Sequence, residues 1–597
     1  MNAETIVDLF EHAVQTHRKP NTFLTKRAGR YEPVSADEVR KKVYLVCAGL
    51  ASYGIKKGDR VALLSENRPE WAINDLGILY AGAINVPVFP SLPAAQIRDL
   101  LLDCKPRAIL LSNAIQLEKI LSIARQVDSL EIIVFFEGNE KEPPPIISFT
   151  QLLASGARQL QENPGLLEEC RRHIRPEDIA SIIYTSGTTG IPKGVMLSHG
   201  NIVSNVHGCA EAIRIDSSDT ALSFLPLSHI FERTADYLML YRGATIAYAE
   251  NFETVAQNML EVRPTLVACM PRFCEKIYAR IEEARKTSPP LKQQLMSWAL
   301  GVGRRCNQFT LNKKHVPKLL SFKRTLAERL VFSKLKQRLG GRLRFLISGG
   351  APLDQELAEF FFAAGILILE GYGLTETSPV IAVNQPAQFK FGSVGPPLSN
   401  VDVKIAPDGE ILTRGPAVMK GYYENEADTR EALKDGWFHT GDIGSIDEEG
   451  FLKITDRKKD IIITASGKNV APQKIENLLR SNSHFLNIVV VGNKRPYISA
   501  LVVPNPERLK HVAKELGLQT SDYVELVHLP QVHKHFMEEI QRLTPDLAPF
   551  EKIKKIALLE SDFSIENGEV TPTLKIRRRV VESKYKNLID QIYTSGA

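Results

Sequence analysis

Twelve consecutive residues, Tyr184-Thr-Ser-Gly-Thr-Thr-Gly-Ile-Pro-Lys-Gly-Val195, concentrate three glycines, four Ser/Thr hydroxyls and one lysine. They follow directly on the apolar run Ile179-Ala-Ser-Ile-Ile183. A strand that empties into such a loop can cradle phosphate. Glycines let backbone N–H groups approach an anion, hydroxyls add donors, and a lysine adds a mobile positive charge. A Gly/Ser/Thr stretch taken alone is more often a flexible surface loop. Here Pro192 stiffens the exit, and Lys193-Gly194 holds a place for which a linker has no use. Residues 185–193 therefore read as a polyphosphate loop, with Thr185, Ser186, Gly187, Thr188, Thr189, Gly190 and Lys193 as its contacts.

The loop is not a Walker A motif, in which Gly-Lys-Ser/Thr opens a helix. Gly194 stands where the Mg2+-binding hydroxyl belongs, and Val195-Met-Leu-Ser198 reads as another strand. A protein-kinase set of His-Arg-Asp and Asp-Phe-Gly does not follow it either. A second candidate, Glu370-Gly-Tyr-Gly-Leu-Thr-Glu-Thr377, comes after the apolar run Ile366-Leu-Ile-Leu369. It reads as a strand-end loop, where α/β proteins bind ligands. Ser348-Gly-Gly-Ala-Pro352 likewise follows Arg344-Phe-Leu-Ile347.

Taken in order, 184–195, 370–377, His439-Thr-Gly-Asp442, Asp456-Arg-Lys-Lys-Asp-Ile461 and Thr571-Pro-Thr-Leu-Lys575 resemble the signatures of the adenylate-forming superfamily. That superfamily comprises acyl-CoA synthetases, luciferases and peptide-synthetase adenylation domains. With Gly82-Ala-Ile-Asn-Val-Pro-Val-Phe-Pro90 upstream, the resemblance covers nearly the whole chain. It implies attack of a carboxylate on the α-phosphorus of ATP, departure of pyrophosphate, and acyl transfer to a thiol. Two anions must then be brought together and charge neutralised at phosphorus.

The resemblance also implies roles. Loop 185–193 would hold the departing phosphates, Lys193 being auxiliary, and Glu376 with the Thr185 hydroxyl would ligate Mg2+, a cation that takes one or two protein oxygens plus phosphates. Tyr372 would stack on adenine between Gly371 and Gly373, with Glu370 and Leu374 in the same motif and Thr375 donating to the α-phosphate. Gly349, Gly350 and Ala351 would form the other wall of that pocket. Asp442 and Arg457 would take the ribose hydroxyls, and Lys575 would be the catalytic lysine of adenylation. The loop Ala465-Ser-Gly-Lys-Asn-Val-Ala-Pro472, with Ser466, Gly467 and Lys468, would face the pantetheine of CoA in the second step.

Leu225-Pro-Leu-Ser-His-Ile-Phe-Glu-Arg233, Pro271-Arg-Phe-Cys-Glu-Lys276 and the basic insertion after it resemble the long-chain branch, with His229 beside the acyl carboxylate. Segments 202–213, 225–240 and 265–274 are candidates to line an apolar tunnel. The reading is an ATP-dependent long-chain fatty acid–CoA ligase with fatty acid, ATP and CoA as its partners. Two alternatives stand beside it: a fatty acyl-AMP ligase that loads a separate carrier protein, and a non-catalytic nucleotide- or lipid-binding protein on the same scaffold.

The elements that must position these residues are legible in outline. Residues 1–60 read as a helix, a short strand region and a second helix ending near Gly54. From Arg60 to about Met270, apolar strands alternate with helical segments: 61–64, 108–111, 132–136, 182–183 and 222–225. That alternation argues an α/β fold on largely parallel sheets. Short strands at 402–405 and 409–413, with the turn at Pro407-Asp-Gly409, suggest a small β-rich subdomain at about 385–455. The expected organisation is a large N-terminal domain over 1–455, built of doubly wound α/β subdomains plus that β-rich part. A hinge at 456–461 and a small mobile C-terminal α/β domain over 462–597 complete it.

At 597 residues, 44% hydrophobic and 24% charged, the chain has the composition of a globular protein of several domain-sized units. Acids at Glu4 and Asp8 argue against a signal peptide, and no apolar run approaches the roughly 20 residues that span a bilayer. The seven cysteines lack CxxC spacing and read as buried thiols of a reducing cytoplasm. The +6 net charge conceals an asymmetry: residues 276–344 hold 18 Lys or Arg against 3 acids. Leu319, Phe322, Leu326 and Leu330 fall there at helical spacing. Either this stripe packs on the domain beneath a solvated basic face, or the segment docks on anionic lipid at the inner membrane surface. Nucleic acid is excluded by the acidic remainder and the lack of any recognisable module. Oligomeric state, a homo-oligomer included, is not legible.

Overall fold

The computed structural model describes residues 3–139, 144–185, 192–480, 482–572 and 575–594. The chain forms two compact units: a larger one of Met1–Cys274, Glu282–Val403 and Leu412–His439, and a smaller one of Glu275–Ile281, Lys404–Ile411 and Thr440–Ala597.

Two eight-stranded sheets build the larger unit. One runs in the order Gly421–Tyr422, Lys193–Ser198, Ile179–Thr185, Ile84–Val88, Arg60–Leu64, Ala108–Leu111, Ile132–Phe135, Ile146–Ser148. Its body is parallel, and only Lys193–Ser198 and Gly421–Tyr422 pair antiparallel. Val61 and Leu63 enter one apolar cluster while Ala62 and Leu64 enter another. Burial on both faces is why these strands read as continuous apolar runs. The other sheet runs Val380–Val383, Leu367–Gly373, Phe345–Ser348, Leu266–Cys269, Thr220–Ser223, Thr245–Tyr248, Phe23–Arg27, Arg30–Val34, parallel except at its two edges. The alternation seen in the sequence is thus realised as α/β sheets. The expected strand at 222–225 instead covers Thr220–Ser223.

One expectation is corrected. Glu370-Gly-Tyr-Gly373 is not a strand-end loop, because the strand Leu367–Gly373 runs through it. Leu367–Glu370 pair parallel with Phe345–Ser348, and Gly371–Gly373 then pair antiparallel with Val380–Val383. Two glycines lower strand propensity, but a second partner strand supplies their hydrogen bonds.

In the smaller unit, Phe485–Val491, Ser499–Pro504 and Ile556–Leu558 form a three-stranded sheet. Ile488, Val490, Ala500 and Val502 pack on one face, Val489, Val491, Leu501 and Val503 on the other. The alternation is the period of two that a pleated strand imposes. Residues 442–446 pair antiparallel with the strand Leu452–Arg457, so Asp456 and Arg457 lie in a strand.

Candidate active site

The strand Ile179–Thr185 delivers Thr185 half-buried at its end, directly opposite Lys193 on the returning strand. Ser186, Gly187, Thr188, Thr189 and Gly190 lie outside the described residues. Lys193 Nζ pairs with Asp428 at 2.6 Å and sits 5.2 Å from the centre of the Tyr422 ring. Asn425 caps the helix Glu426–Ala432 and holds Asp428 Oδ2 at 2.8 Å. The Tyr422 hydroxyl in turn donates to Glu376 Oε1 at 3.0 Å. Burial, and beyond it the neighbouring Glu376 carboxylate, push the Tyr422 phenol well above its ordinary range, so it remains a donor. Lys193 and Glu376, far apart in sequence, are brought to one place by Tyr422, which sequence reasoning missed, and Thr185 joins them as the cross-strand partner of Lys193.

Two asparagines one turn apart hold this arrangement. The strand Lys193–Ser198 ends in a capping box, Ser198 with Asn201, that starts the helix His199–Ala212. Asn201 Nδ2 also donates to Pro416 O (2.7 Å) and Val418 O (2.9 Å), fixing the approach to Gly421–Tyr422. Asn205, fully buried, donates to Val380 O at 2.7 Å and accepts from Val380 N at 3.2 Å. The Glu376 turn, Thr375–Thr377, is closed by Thr377 Oγ1, which accepts from Leu374 N at 3.1 Å. Residues at i and i+4 share a helix face, so one helix positions both flanks of Glu376.

The remaining adenine-motif residues lie in the edge hairpin. Tyr372 is buried opposite Ala382. A Cβ on Gly373 would stand 1.8 Å from Pro379 O, so the hairpin's own backbone requires glycine there. Glu370 turns inward: Leu353 N donates to its Oε1 at 3.0 Å, tying this strand to the loop that carries Gly349, Gly350 and Ala351. Burial pushes the Glu370 carboxyl up to about 8 against the opposing effect of that N–H. Gly349 lies under the Phe231 ring, which a Cβ would meet at 3.2 Å, and Gly350 has φ +82°.

His229 is the N-cap of the helix Ile230–Arg242, its Nδ1 accepting from Phe231 N at 3.2 Å. Four residues on, Arg233 is fully buried and donates to Asp75 (3.1 and 2.5 Å), to Tyr237 Oη (3.0 Å) and to Ser181 Oγ (2.8 Å). Asp75 also accepts from Asn85 Nδ2 at 2.6 Å. The motif's arginine thus locks two neighbouring strands to two helices. Glu232, also buried, accepts from Phe224 N at 3.2 Å, and burial raises its carboxyl. Among the tunnel candidates, Val203, Val206 and Cys209 pack in the main core.

In the smaller unit, Asp442 and Arg457 are register partners, with Arg457 Nε donating to Asp442 Oδ1 at 3.0 Å. Next to them Lys458 bridges Asp408 (2.6 Å) and Glu410 (2.9 Å), which raise its ammonium pKa. Lys575 presents an exposed side chain from a turn closed by Thr571, whose Oγ1 accepts from Lys575 N at 3.0 Å. Ser466, Gly467 and Lys468 form the exposed turn between Ile462–Ile463 and Asn469–Val470. Gly467 adopts φ +75° with open space around it, so the turn conformation is what demands glycine here.

The model of the AMP-binding enzyme family matches residues 10–423, and that of the AMP-binding enzyme C-terminal domain matches 459–597. The chain belongs to the AMP-binding enzymes, the adenylate-forming acyl-CoA synthetase superfamily. Its similarity runs to the long-chain fatty acid branch. It is 34% identical to the long-chain-fatty-acid–CoA ligase FadD15 of Mycobacterium bovis over 95% of this chain and 93% of that one. It is 33% identical to the peroxisomal long chain acyl-CoA synthetase 7 of Arabidopsis thaliana over 99% of this chain and 87% of that one. In fold it resembles the anthranilate CoA ligase AuaEII bound to anthranoyl-AMP (TM-score 0.71, 20% identity, 98% of each chain). It also resembles the A domain of the carboxylic acid reductase of Segniliparus rugosus (TM-score 0.72, 20% identity, 99% of this chain and 94% of that one).

Proposed function

We propose that this chain is an ATP-dependent long-chain fatty acid–CoA ligase: a fatty carboxylate and ATP give acyl-AMP and pyrophosphate, and CoA then gives acyl-CoA and AMP. The observation that carries the reading is the meeting at Tyr422 of Glu376 and of Lys193, the cross-strand partner of Thr185. Full-length similarity to ligases of long-chain acids supports the substrate class.

In this reading Lys193, neutralised in part by Asp428, contributes hydrogen-bonding rather than a free charge at the departing phosphates. Thr185 and Glu376 offer hard oxygen donors that fit Mg2+, with Tyr422 orienting the carboxylate from its Oε1 side. Among the described residues no cluster of three or more His, Cys, Asp or Glu forms a metal cage. Phosphate and water oxygens would therefore complete the coordination. Bound there, the cation would neutralise charge between the phosphates. Tyr372 and the Gly349–Ala351 loop would enclose adenine, and Thr375 would donate to the α-phosphate. His229 would orient the acyl carboxylate. On the smaller unit, Asp442 and Arg457 would receive the ribose, Lys575 would stabilise charge during adenylation, and Ser466–Lys468 would meet CoA during thioester formation. The chain would work in the cytoplasm, reaching lipid peripherally through the basic segment 276–344.

Mass spectrometry of a reaction with ATP, Mg2+, CoA and a long-chain acid distinguishes the readings. Acyl-CoA with AMP supports the ligase. Acyl-AMP that persists in the presence of CoA would assign a carrier-loading enzyme, and neither product with any fatty acid would leave a binding protein.

A further inference from the structure

The apolar stripe in the basic insertion does not pack on the domain. Lys318–Ala327, Glu328–Phe332 and Ser333–Gln337 run as one continuous helix with a single π turn in the middle. Its inner face is accounted for: Ala327 and Phe332 join a local core with Ala299, Val302 and Cys306, and Leu320, Val331 and Leu335 pack against it. Arg324 pins the same face, its guanidinium 4.7 Å from the Phe332 ring centre and bonded to Ala363 O. The other face holds Leu319 and Phe322, each 69% exposed, and Leu326 and Leu330, each 40% exposed. At about 100° per residue these four fall within an arc of about 80°. The helix is therefore apolar on two sides, and only one of them is covered.

The flanks of the outer stripe carry a single sign of charge. Lys318, Lys323 and Arg329 are exposed beside it. The one acid of the helix, Glu328, is engaged by Lys336 at 2.8 Å and Arg324 at 3.9 Å. A second copy presenting the same face would meet like charge. A nucleic acid backbone would match the lysines but has no use for Leu and Phe along the centre. Among the described residues no acid pairs with Lys318, Lys323 or Arg329, and apolar side chains flanked by such cations match the headgroup and acyl boundary of an anionic bilayer. We infer that the outer face of 318–330 is a membrane-docking surface for anionic lipid, entered by Leu319, Phe322, Leu326 and Leu330. The inference rests on the ligase reading only in its choice of a lipid partner. Vesicle binding needs neither ATP nor CoA, so the two fail separately.

The test is co-sedimentation of the full chain with phosphatidylcholine vesicles, with and without phosphatidylglycerol. The expected result is binding to the anionic vesicles alone, weakening as salt is raised. Leu319→Asp/Phe322→Asp should lower the bound fraction at least about tenfold while activity toward a soluble short acid is retained. Lys318→Glu/Lys323→Glu, which leaves the stripe in place, should do the same. Equal binding to neutral vesicles, no effect of either variant, or binding to duplex DNA without vesicle binding would each overturn the assignment.

Discussion

The Tyr422 hydroxyl donates to Glu376 Oε1 at 3.0 Å while the Tyr422 ring lies 5.2 Å from Lys193 Nζ. One side chain thus orients a carboxylate on the turn Thr375–Thr377 and a cation at the start of the strand Lys193–Ser198. A hydrogen bond to a charged group typically contributes about 1.5–3 kcal/mol. Tyr422→Phe keeps the ring under Lys193 and removes only the donor. It should reduce the rate of pyrophosphate release by about ten- to a hundredfold and raise the Mg2+ concentration needed for half-maximal rate. An unchanged Mg2+ dependence would remove Tyr422 from the arrangement.

Lys575→Ala should separate the half-reactions. Loss of a transition-state contact costs about 10²–10³ in rate. Adenylate formation should fall by that factor, while acyl-CoA formation from supplied acyl-adenylate continues. Equal loss in both steps would contradict the role given to Lys575.

Asp75→Ala should be a stability variant. It strands the buried Arg233 guanidinium, and removing one partner of a buried pair costs about 3–5 kcal/mol. Denaturant unfolding of the larger unit should show a shifted midpoint. A shift no larger than that of a surface Asp→Ala control would mean that solvent reaches the pair.

Glu370 makes a pH prediction. Its folded value of about 8 exceeds the ordinary 4.5, so between those values the unfolded chain is ionised and the folded chain is not. Stability from this group is full below the lower value and is lost as pH rises through the upper one. Glu370→Gln keeps an acceptor for Leu353 N and removes the titration. The melting temperature of the variant relative to the parent should therefore rise between about pH 5 and about pH 9. A difference independent of pH would show that Glu370 is ionised in the fold.

The sequence was most informative where one segment contains both its signal and its partner. The strands Ile179–Thr185 and Lys193–Ser198 pair antiparallel within twenty residues, so the residues that specify the pairing lie close together in the sequence. Leu367–Gly373 misled because its glycines read as loop, and the strand that satisfies them, Val380–Val383, declares itself only in three dimensions. Tyr422 sits in a two-residue strand paired with Val195, which no propensity marks. Asp75 left a faint signal. It is an acid in a helix, Pro69–Tyr80, whose other residues are nearly all buried, and an acid so placed needs a buried cation. The spacing of 319, 322, 326 and 330 was plain, yet periodicity cannot say whether a stripe faces inward. Exposure settled that.

The central claim is tested most directly by CoA-dependent release of AMP from ATP across fatty acids of graded length. The account predicts AMP release that requires both the acid and CoA and that is greatest for long chains. Absence of release with every acid, in a preparation that still binds ATP, would contradict it.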